Sequence, residues 1–140
     1  MGYHTLAIIK PDSVSNNNTG KIIDRILEGG FQILTMQQLL LTRKRAEDFY
    51  AVHSERPFFS DLVEFMTSKP CVPIALKKED AVTSFRELIG ATNPDEADEG
   101  TIRRDFAENV QNNAVHGSDS ATSAVREINY FFTEEEIVSK

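Results

Sequence analysis

The chain is short of the parts from which several familiar sites are built. It has one cysteine, Cys71, in 140 residues. That excludes an intrachain disulfide framework and a cluster of thiolate metal ligands, and leaves Cys71 to read as a buried strand residue between Pro70 and Val72. The three histidines lack metal-ligand spacing, so no protein-held metal is expected. No apolar run approaches the roughly 20 residues needed to span a bilayer. The N-terminus lacks the basic segment and apolar stretch of a secretory signal, so a cytoplasmic protein with no membrane association is expected. There is no GxxxxGKS/T or GxGxxG phosphate loop, and none of the HRD and DFG elements of a protein kinase. Gly117-Ser118-Asp119-Ser120 lacks the second glycine of a GxSxG hydrolase turn. Basic residues are outnumbered 15 to 22, for a net charge of −7. That balance opposes dedicated nucleic-acid binding, which needs an extended basic surface. An anionic small ligand stays open, because exposed charges more than about 8 Å away are screened at physiological salt.

What is present describes an ordinary globular chain. Hydrophobic residues make up 40% and charged residues 26%, and the length suits one domain, residues 1–140, with one core. Thr5-Leu6-Ala7-Ile8-Ile9 is a continuous apolar run suited to a strand buried on both faces, ended by Lys10-Pro11-Asp12. Lys10 therefore projects a cation from the end of a rigid strand. Asn16-Asn17-Asn18 reads as a loop. Thr19 is positioned to cap a helix through Glu28, with Ile22, Ile23, Ile26 and Leu27 on one face and Gly29-Gly30 stopping it. A long strand is expected from Phe31 to Leu41. A helical stretch from Thr42 carries Phe49, Tyr50 and His53 on one face, until Arg56-Pro57 breaks it. Ser60 is the expected cap of a further helix bearing Leu62, Val63 and Met66.

Cys71 to Leu76 reads as a strand and Asp80 to Leu88 as a helix, with Gly90 just beyond. Residues 91–101 form a long loop of the functional kind. Ala114-Val115 is a short strand leading into His116, and Ser120 is the expected cap of a last helix carrying Ala124, Val125 and Ile128. The order is strand–helix–strand, two helices, then strand–helix–strand–helix. It predicts an α+β sandwich of the split βαβ, ferredoxin-like kind, with a four-stranded, mainly antiparallel sheet.

Asn113-Ala114-Val115-His116-Gly117-Ser118-Asp119 sets a histidine among small hydrogen-bonding residues. An imidazole with an ordinary pKa near 6.5 is available there as a nucleophile, although a histidine in that setting is equally a plain loop residue. Attack on a terminal phosphoryl group also needs cations around the equatorial oxygens and a partner for the second ring nitrogen. Lys10, Arg86 and Arg103 are the candidate cations, or else solvated surface charges. Glu127, eleven residues after His116, is the candidate partner, or else an exposed helix carboxylate. Phe58 and Leu62 either pack a core or form an apolar lip on which a nucleobase stacks without base readout. Tyr50 is a core aromatic or a polar handle in the site. His4 and His53 read as structural or surface residues.

Five blocks taken in order carry a resemblance. They are Thr5-Leu6-Ala7-Ile8-Ile9-Lys10-Pro11-Asp12, Arg56-Pro57-Phe58-Phe59 and Gly90-Ala91-Thr92-Asn93-Pro94, then Thr101-Ile102-Arg103 and Asn113 through Ser120. On these residues the chain resembles the nucleoside diphosphate kinases over essentially its whole length.

The resemblance implies ping-pong transfer of the γ-phosphoryl group from a nucleoside triphosphate, usually ATP, to a nucleoside diphosphate, which maintains triphosphate pools. His116 matches the phosphorylated histidine, Glu127 the carboxylate that orients it, and Ser118 a serine bonded near that pair. Lys10 matches a residue contacting the phosphates and a ribose hydroxyl, held in place by Tyr50. Arg86, Thr92 and Arg103 match phosphate ligands, and Asn113 a ribose contact. Phe58 matches the ring that stacks on the base, with Leu62 and Val110 lining the same slot. Mg²⁺ is expected to arrive with the nucleotide phosphates, and a homo-oligomer, tetramer or hexamer, is expected. The other class of protein compatible with these residues is a catalytically silent nucleotide-binding or interaction module. Arg104 and Lys69 stand where the family commonly has glycine, and Arg104 leaves open which arginine meets the phosphates.

Overall fold

The apolar run at the start forms a strand, β1 (His4–Ile9), whose side chains are buried from Thr5 to Ile9. A computed structural model, describing residues 2–138, places that strand inside a four-stranded sheet. The others are β2 (Gln32–Met36), β3 (Val72–Lys77) and β4 (Val115–Gly117). Their order is β2-β3-β1-β4, with each neighbouring pair antiparallel, so the expected α+β, ferredoxin-like sheet is the one observed.

Alternation along β1 explains why both its faces are apolar. Leu6 and Ile8 point into one cluster with Phe49, Val63, Met66 and Ile128. Ala7 and Ile9 point into another with Ile22, Ile26, Phe85, Ile89 and Ile102. Successive strand residues face opposite sides, so helices must cover each. The first face is covered by α3 (Arg43–Phe49), α4 (Phe59–Ser68) and α7 (Ala121–Phe131). The second is covered by α2 (Thr19–Glu28), α5 (Ala81–Ile89) and α6 (Ile102–Phe106).

Local chemistry corrects several expectations. Pro11 does more than end β1: it opens a short helix, α1 (Pro11–Ser15), where a missing N–H costs nothing at the first position. β2 stops at Met36 rather than Leu41. A bulge between Ile33 and Thr35 bends it, and beyond Met36 the pairing continues as a Gln37 N bond to Pro73 O and an isolated bridge, Leu39 to Cys71. Neither Thr19 nor Ser60 caps a helix; the N-cap residues are Asn18 and Phe58, without side-chain capping. Thr42 and Ser120 do cap, accepting from the Arg45 and Ser123 amides. The helix from Thr42 ends at Phe49, and His53 lies in a separate 3-10 turn, Ala51–His53. Val125 sits on the exposed side of α7. The loop 91–101 holds a 3-10 turn, Pro94–Glu96, and leads into α6, which sequence periodicity did not reveal because it is barely one turn long. Cys71 is buried, and burial pushes its thiol up to about 11.

Gly117 fixes how closely β4 approaches α5. A Cβ there would lie 2.9 Å from Phe85 Cδ2 and 3.1 Å from Ile89 Cδ1. Both partners are buried, so neither has room to yield. Gly117→Ala should therefore cost about 1–3 kcal/mol of stability, read as a lowered denaturant midpoint at unchanged slope. A stability equal to that of the unaltered chain would show that the α5–β4 contact is looser than this spacing requires.

Candidate active site

His116 sits in the middle of β4, opposite Ile8 of β1. Its Nε2 lies 2.8 Å from Glu127 Oε1. The same oxygen accepts from Ser118 Oγ at 2.7 Å, and Ser118 Oγ accepts from the Leu6 amide at 3.1 Å. Glu127 reaches this point because it occupies the core-facing stripe of α7, with Ala124, Ile128 and Phe131. A buried carboxylate is tolerated only where its oxygens are satisfied, and here a serine and an imidazole satisfy one of them. An ionised carboxylate only accepts, so Nε2 carries the proton and Nδ1 of the neutral ring keeps a lone pair. Phe49 packs edge-on against the imidazole, 5.7 Å between ring centres, and restrains its tilt.

The cations are delivered by a strained turn. Val115 N donates to Asn113 O at 2.8 Å, and Ala114 between them has φ +72. This is the rare positive-φ γ-turn, which costs a non-glycine residue about 1–3 kcal/mol unless its surroundings hold it. Lys10 N donates to Ala114 O at 2.9 Å, and Lys10 Nζ to Asn113 Oδ1 at 2.8 Å. Arg103 Nε donates to Asn113 O at 3.3 Å, Nη2 to Val115 O at 2.8 Å and Nη1 to Gly90 O at 3.1 Å. Gly90 has φ +89, and a Cβ there would lie 2.6 Å from Thr101 Oγ1, so only glycine presents that carbonyl. Burial first, and the Arg103 charge second, push Lys10 down to about 8. Burial, with Arg86 nearby, lowers Arg103 to about 10, so it stays charged at neutral pH.

Arg86, Thr92 and Arg103 line one cleft of about 460 Å³, together with Thr101, Glu96 and Asp98. That size falls in the usual range for small-ligand sites, about 300–1,000 Å³. Asn113 Nδ2 donates to Thr92 O at 3.4 Å, which links the cleft to Lys10. Asp119 lies within Coulomb reach of both Arg86 and His116; a hydrogen bond from the Ser123 side chain is the main cause of its lowered pKa, with smaller help from these two.

Not every expected residue joins this constellation. Tyr50 does not hold Lys10: its buried hydroxyl has no partner among the described residues, and Lys10 Nζ bonds Asn113 instead. Burial raises the Tyr50 pKa, so it stays a neutral phenol. The cleft lining includes neither Phe58, Leu62 and Val110 nor His116, Lys10 and Asn113. Phe58 is half exposed with its ring against His53, Leu62 packs on the core, and Val110 is exposed. Arg103, not Arg104, faces the cleft; Arg104 is exposed and donates to Asp95 O at 3.4 Å. Arg104 lies in helical backbone and Lys69 at φ −151, so neither position requires glycine. Sequence reasoning missed Asp12, whose Oδ2 accepts from the Ala114 amide at 3.1 Å, and Asp119. Both lie inside the recognised blocks, but nothing in their spacing distinguishes them from solvated carboxylates.

A histidine oriented by a carboxylate, with cations nearby on a ferredoxin-like sheet, is the kind of arrangement a phosphotransferase uses. The nucleoside diphosphate kinase family model matches residues 3–137. A nucleoside diphosphate kinase of Campylobacter curvus is 59% identical over 95% of this chain and 97% of its own length. One from Salinibacter ruber is 55% identical over 96% and 95%. Among solved structures, the Aquifex aeolicus enzyme superposes with a TM-score of 0.95 at 45% identity, covering 97% of this chain and 99% of that one. The Halobacterium salinarum enzyme in complex with CDP superposes with the same score at 33% identity, covering 100% and 93%. The chain belongs to the nucleoside diphosphate kinase family and is a nucleotide phosphotransferase.

The lowered Lys10 value has a kinetic consequence. The ammonium is charged below about pH 8 and neutral above it, so attraction for an anionic substrate is present below that pH and lost as pH rises. kcat/KM reports groups of the free enzyme and should fall as pH passes about 8. Lys10→Arg, which stays charged, should move that fall to higher pH; an unmoved limb would assign it to another group.

Proposed function

We propose that the chain transfers the γ-phosphoryl group of a nucleoside triphosphate, mainly ATP, to a nucleoside diphosphate through a phosphohistidine at His116. The observation carrying this reading is the Glu127–His116 pair, which leaves Nδ1 as the free nucleophilic nitrogen. In the first half-reaction the Nδ1 lone pair forms a bond to γ-phosphorus, the bond to the β–γ bridging oxygen breaks, and a nucleoside diphosphate leaves. In the second, a terminal oxygen of the acceptor's β-phosphate attacks the same phosphorus, and the bond to Nδ1 breaks. Donor and acceptor differ by one phosphoryl group, so one site serves both in turn. The two phosphoanhydrides are nearly equivalent, so the direction follows the nucleotide pools and the enzyme maintains triphosphate levels.

The transferring group is stabilised by positioning and charge more than by covalent chemistry. Lys10, Arg86, Thr92 and Arg103 are the phosphate ligands in this reading, and Asn113 the ribose contact. Glu127 stabilises the positive charge that develops on the imidazole, and Ser118 fixes Glu127. Phe58, with Leu62 and Val110, is the apolar platform for the base; the half-exposed ring is free to take a stacked partner, which costs little base discrimination. The Halobacterium relative in complex with CDP supports a nucleoside diphosphate as acceptor. Mg²⁺ fits as a metal carried by the nucleotide: Glu96 and Asp98 bring the oxygen donors it favours to the cleft lining. When bound, it neutralises phosphate charge. The same reading includes one domain over residues 1–140, a cytoplasmic location and a homo-oligomer, tetramer or hexamer, as the family likeness implies. No helix among the described residues is long and apolar enough to cross a membrane.

The test is a two-step label transfer. With γ-labelled ATP, Mg²⁺ and no acceptor, the protein should take up acid-labile, alkali-stable label and pass it to unlabelled GDP. His116→Ala should take up none. Glu127→Gln should label about a hundredfold more slowly, since it loses the charge that steadies the imidazolium. A folded, nucleotide-binding protein that never labels would contradict the mechanism and leave a silent binding module.

A further inference from the structure

The γ-turn at Asn113–Val115 joins Lys10, Arg103 and the strand that carries His116, yet nothing in the turn itself accounts for its survival. The amide of its central residue, Ala114, has no partner within the turn, and Ala114 is fully buried. A buried N–H requires an acceptor. The acceptor is Asp12 Oδ2 at 3.1 Å, reaching across 102 positions of sequence from the first turn of α1. Asp12 is itself buried, and its Oδ1 has no partner among the described residues. That bond to Ala114 is the contact its carboxylate makes across the fold; the same charge, which Asp12→Asn and Asp12→Ala remove alike, also lies within Coulomb reach of Lys10.

What hangs on the contact is specific. If Ala114 relaxed to an ordinary negative φ, the Asn113 and Ala114 carbonyls flanking its Cα would turn and the chain at Val115 would shift with them. Asn113 O and Val115 O are the acceptors that hold Arg103 Nε and Nη2. The Asn113 side chain is the partner of Lys10 Nζ, and Val115 leads directly into His116. Phosphate cations and nucleophile would lose their common register together.

We propose that Asp12 is a positioning residue for phosphoryl transfer: by accepting the Ala114 amide it holds the left-handed turn that aligns Lys10, Arg103 and His116. Asp12 touches no reacting atom and acts through the backbone of Ala114. This proposal rests on the phosphohistidine reading above.

The experiment measures the rate of phosphoenzyme formation at saturating ATP and Mg²⁺, alongside thermal melting, for the unaltered chain and three variants. Asp12→Ala removes the acceptor and should slow labelling by about tenfold or more, the usual scale for leaving a buried amide unpaired. Asp12→Asn keeps an oxygen acceptor of the same reach and should lose no more than about threefold. The third variant, Asp12→Ala combined with Ala114→Gly, is the decisive one. Glycine adopts φ near +70 without strain, so the turn persists without the carboxylate and much of the lost rate should return. It also supplies a folded form if Asp12→Ala alone does not fold. In that event, labelling by the double variant at no more than the Asp12→Asn loss upholds the proposal, and slower labelling overturns it.

A folded Asp12→Ala that labels within about threefold of the unaltered chain would overturn the proposal. So would a double variant that regains melting temperature but not rate, because the lost rate would then not run through the Ala114 turn. Failure of the unaltered chain itself to label would instead reject the phosphohistidine reading.

Discussion

The pairing of β1 with β4 is the constraint from which the site follows. Both strands end where their side chains must act. β1 stops at Ile9, so Lys10 leaves the sheet at the end of a central strand, while β4 begins at Val115, so His116 enters one residue later. The register sets Ile8 against His116 and Ile9 against Val115, and the Lys10 amide closes the ladder on Ala114 O. A slip of one residue would turn His116 to the other face and away from Glu127. Gly117 gives the pair its depth by letting Phe85 and Ile89 close on β4.

Placing charges in such a confined space is costly, and each charged group pays for it differently. Glu127 is buried but keeps two donors on one oxygen. Arg103 spends three of its N–H groups on backbone carbonyls, which holds the guanidinium flat against the turn. Lys10 is only partly compensated by Asn113, and its lowered pKa records the remainder. On the proposed reading, an incoming phosphate chain would relieve that remainder, because anions satisfy cations that the protein leaves under-solvated. The cations are thus organised before the substrate arrives, at the expense of a strained Ala114.

Much of this was legible in the sequence, for physical reasons that differ by region. β1 was readable because five successive apolar residues suit only an element buried on both sides. Helix α7 was readable from its serine cap and from Ala124 and Ile128, but Val125 is exposed and the burial of Glu127 could not be told from that of an ordinary helix carboxylate. The five blocks led to His116, Lys10, Thr92 and Arg103; Thr92 and Arg103 line the cleft with Arg86, which lies outside the blocks, while His116 pairs with Glu127 and Lys10 bonds Asn113. What escaped was short or depended on distant partners. Helices α1 and α6 are too brief to show a period. The bulge that shortens β2 leaves no mark in composition. A positive φ at an alanine has no sequence signature, since among its partners are Asp12 and Lys10, a hundred residues away. The partner assigned to Lys10 was Tyr50, whereas the fold supplies Asn113.

The account turns on which nitrogen of His116 is free. Glu127 engages Nε2, so the phosphoryl group belongs on Nδ1. The most direct measurement is to form the phosphoenzyme with ATP and Mg²⁺ and identify the phosphohistidine isomer by phosphorus–nitrogen NMR. Phosphorus bonded to Nδ1, with Nε2 still protonated, is the predicted result. A phosphoryl group on Nε2 would contradict the account, because the Glu127 contact would have to break before the nucleophile could act.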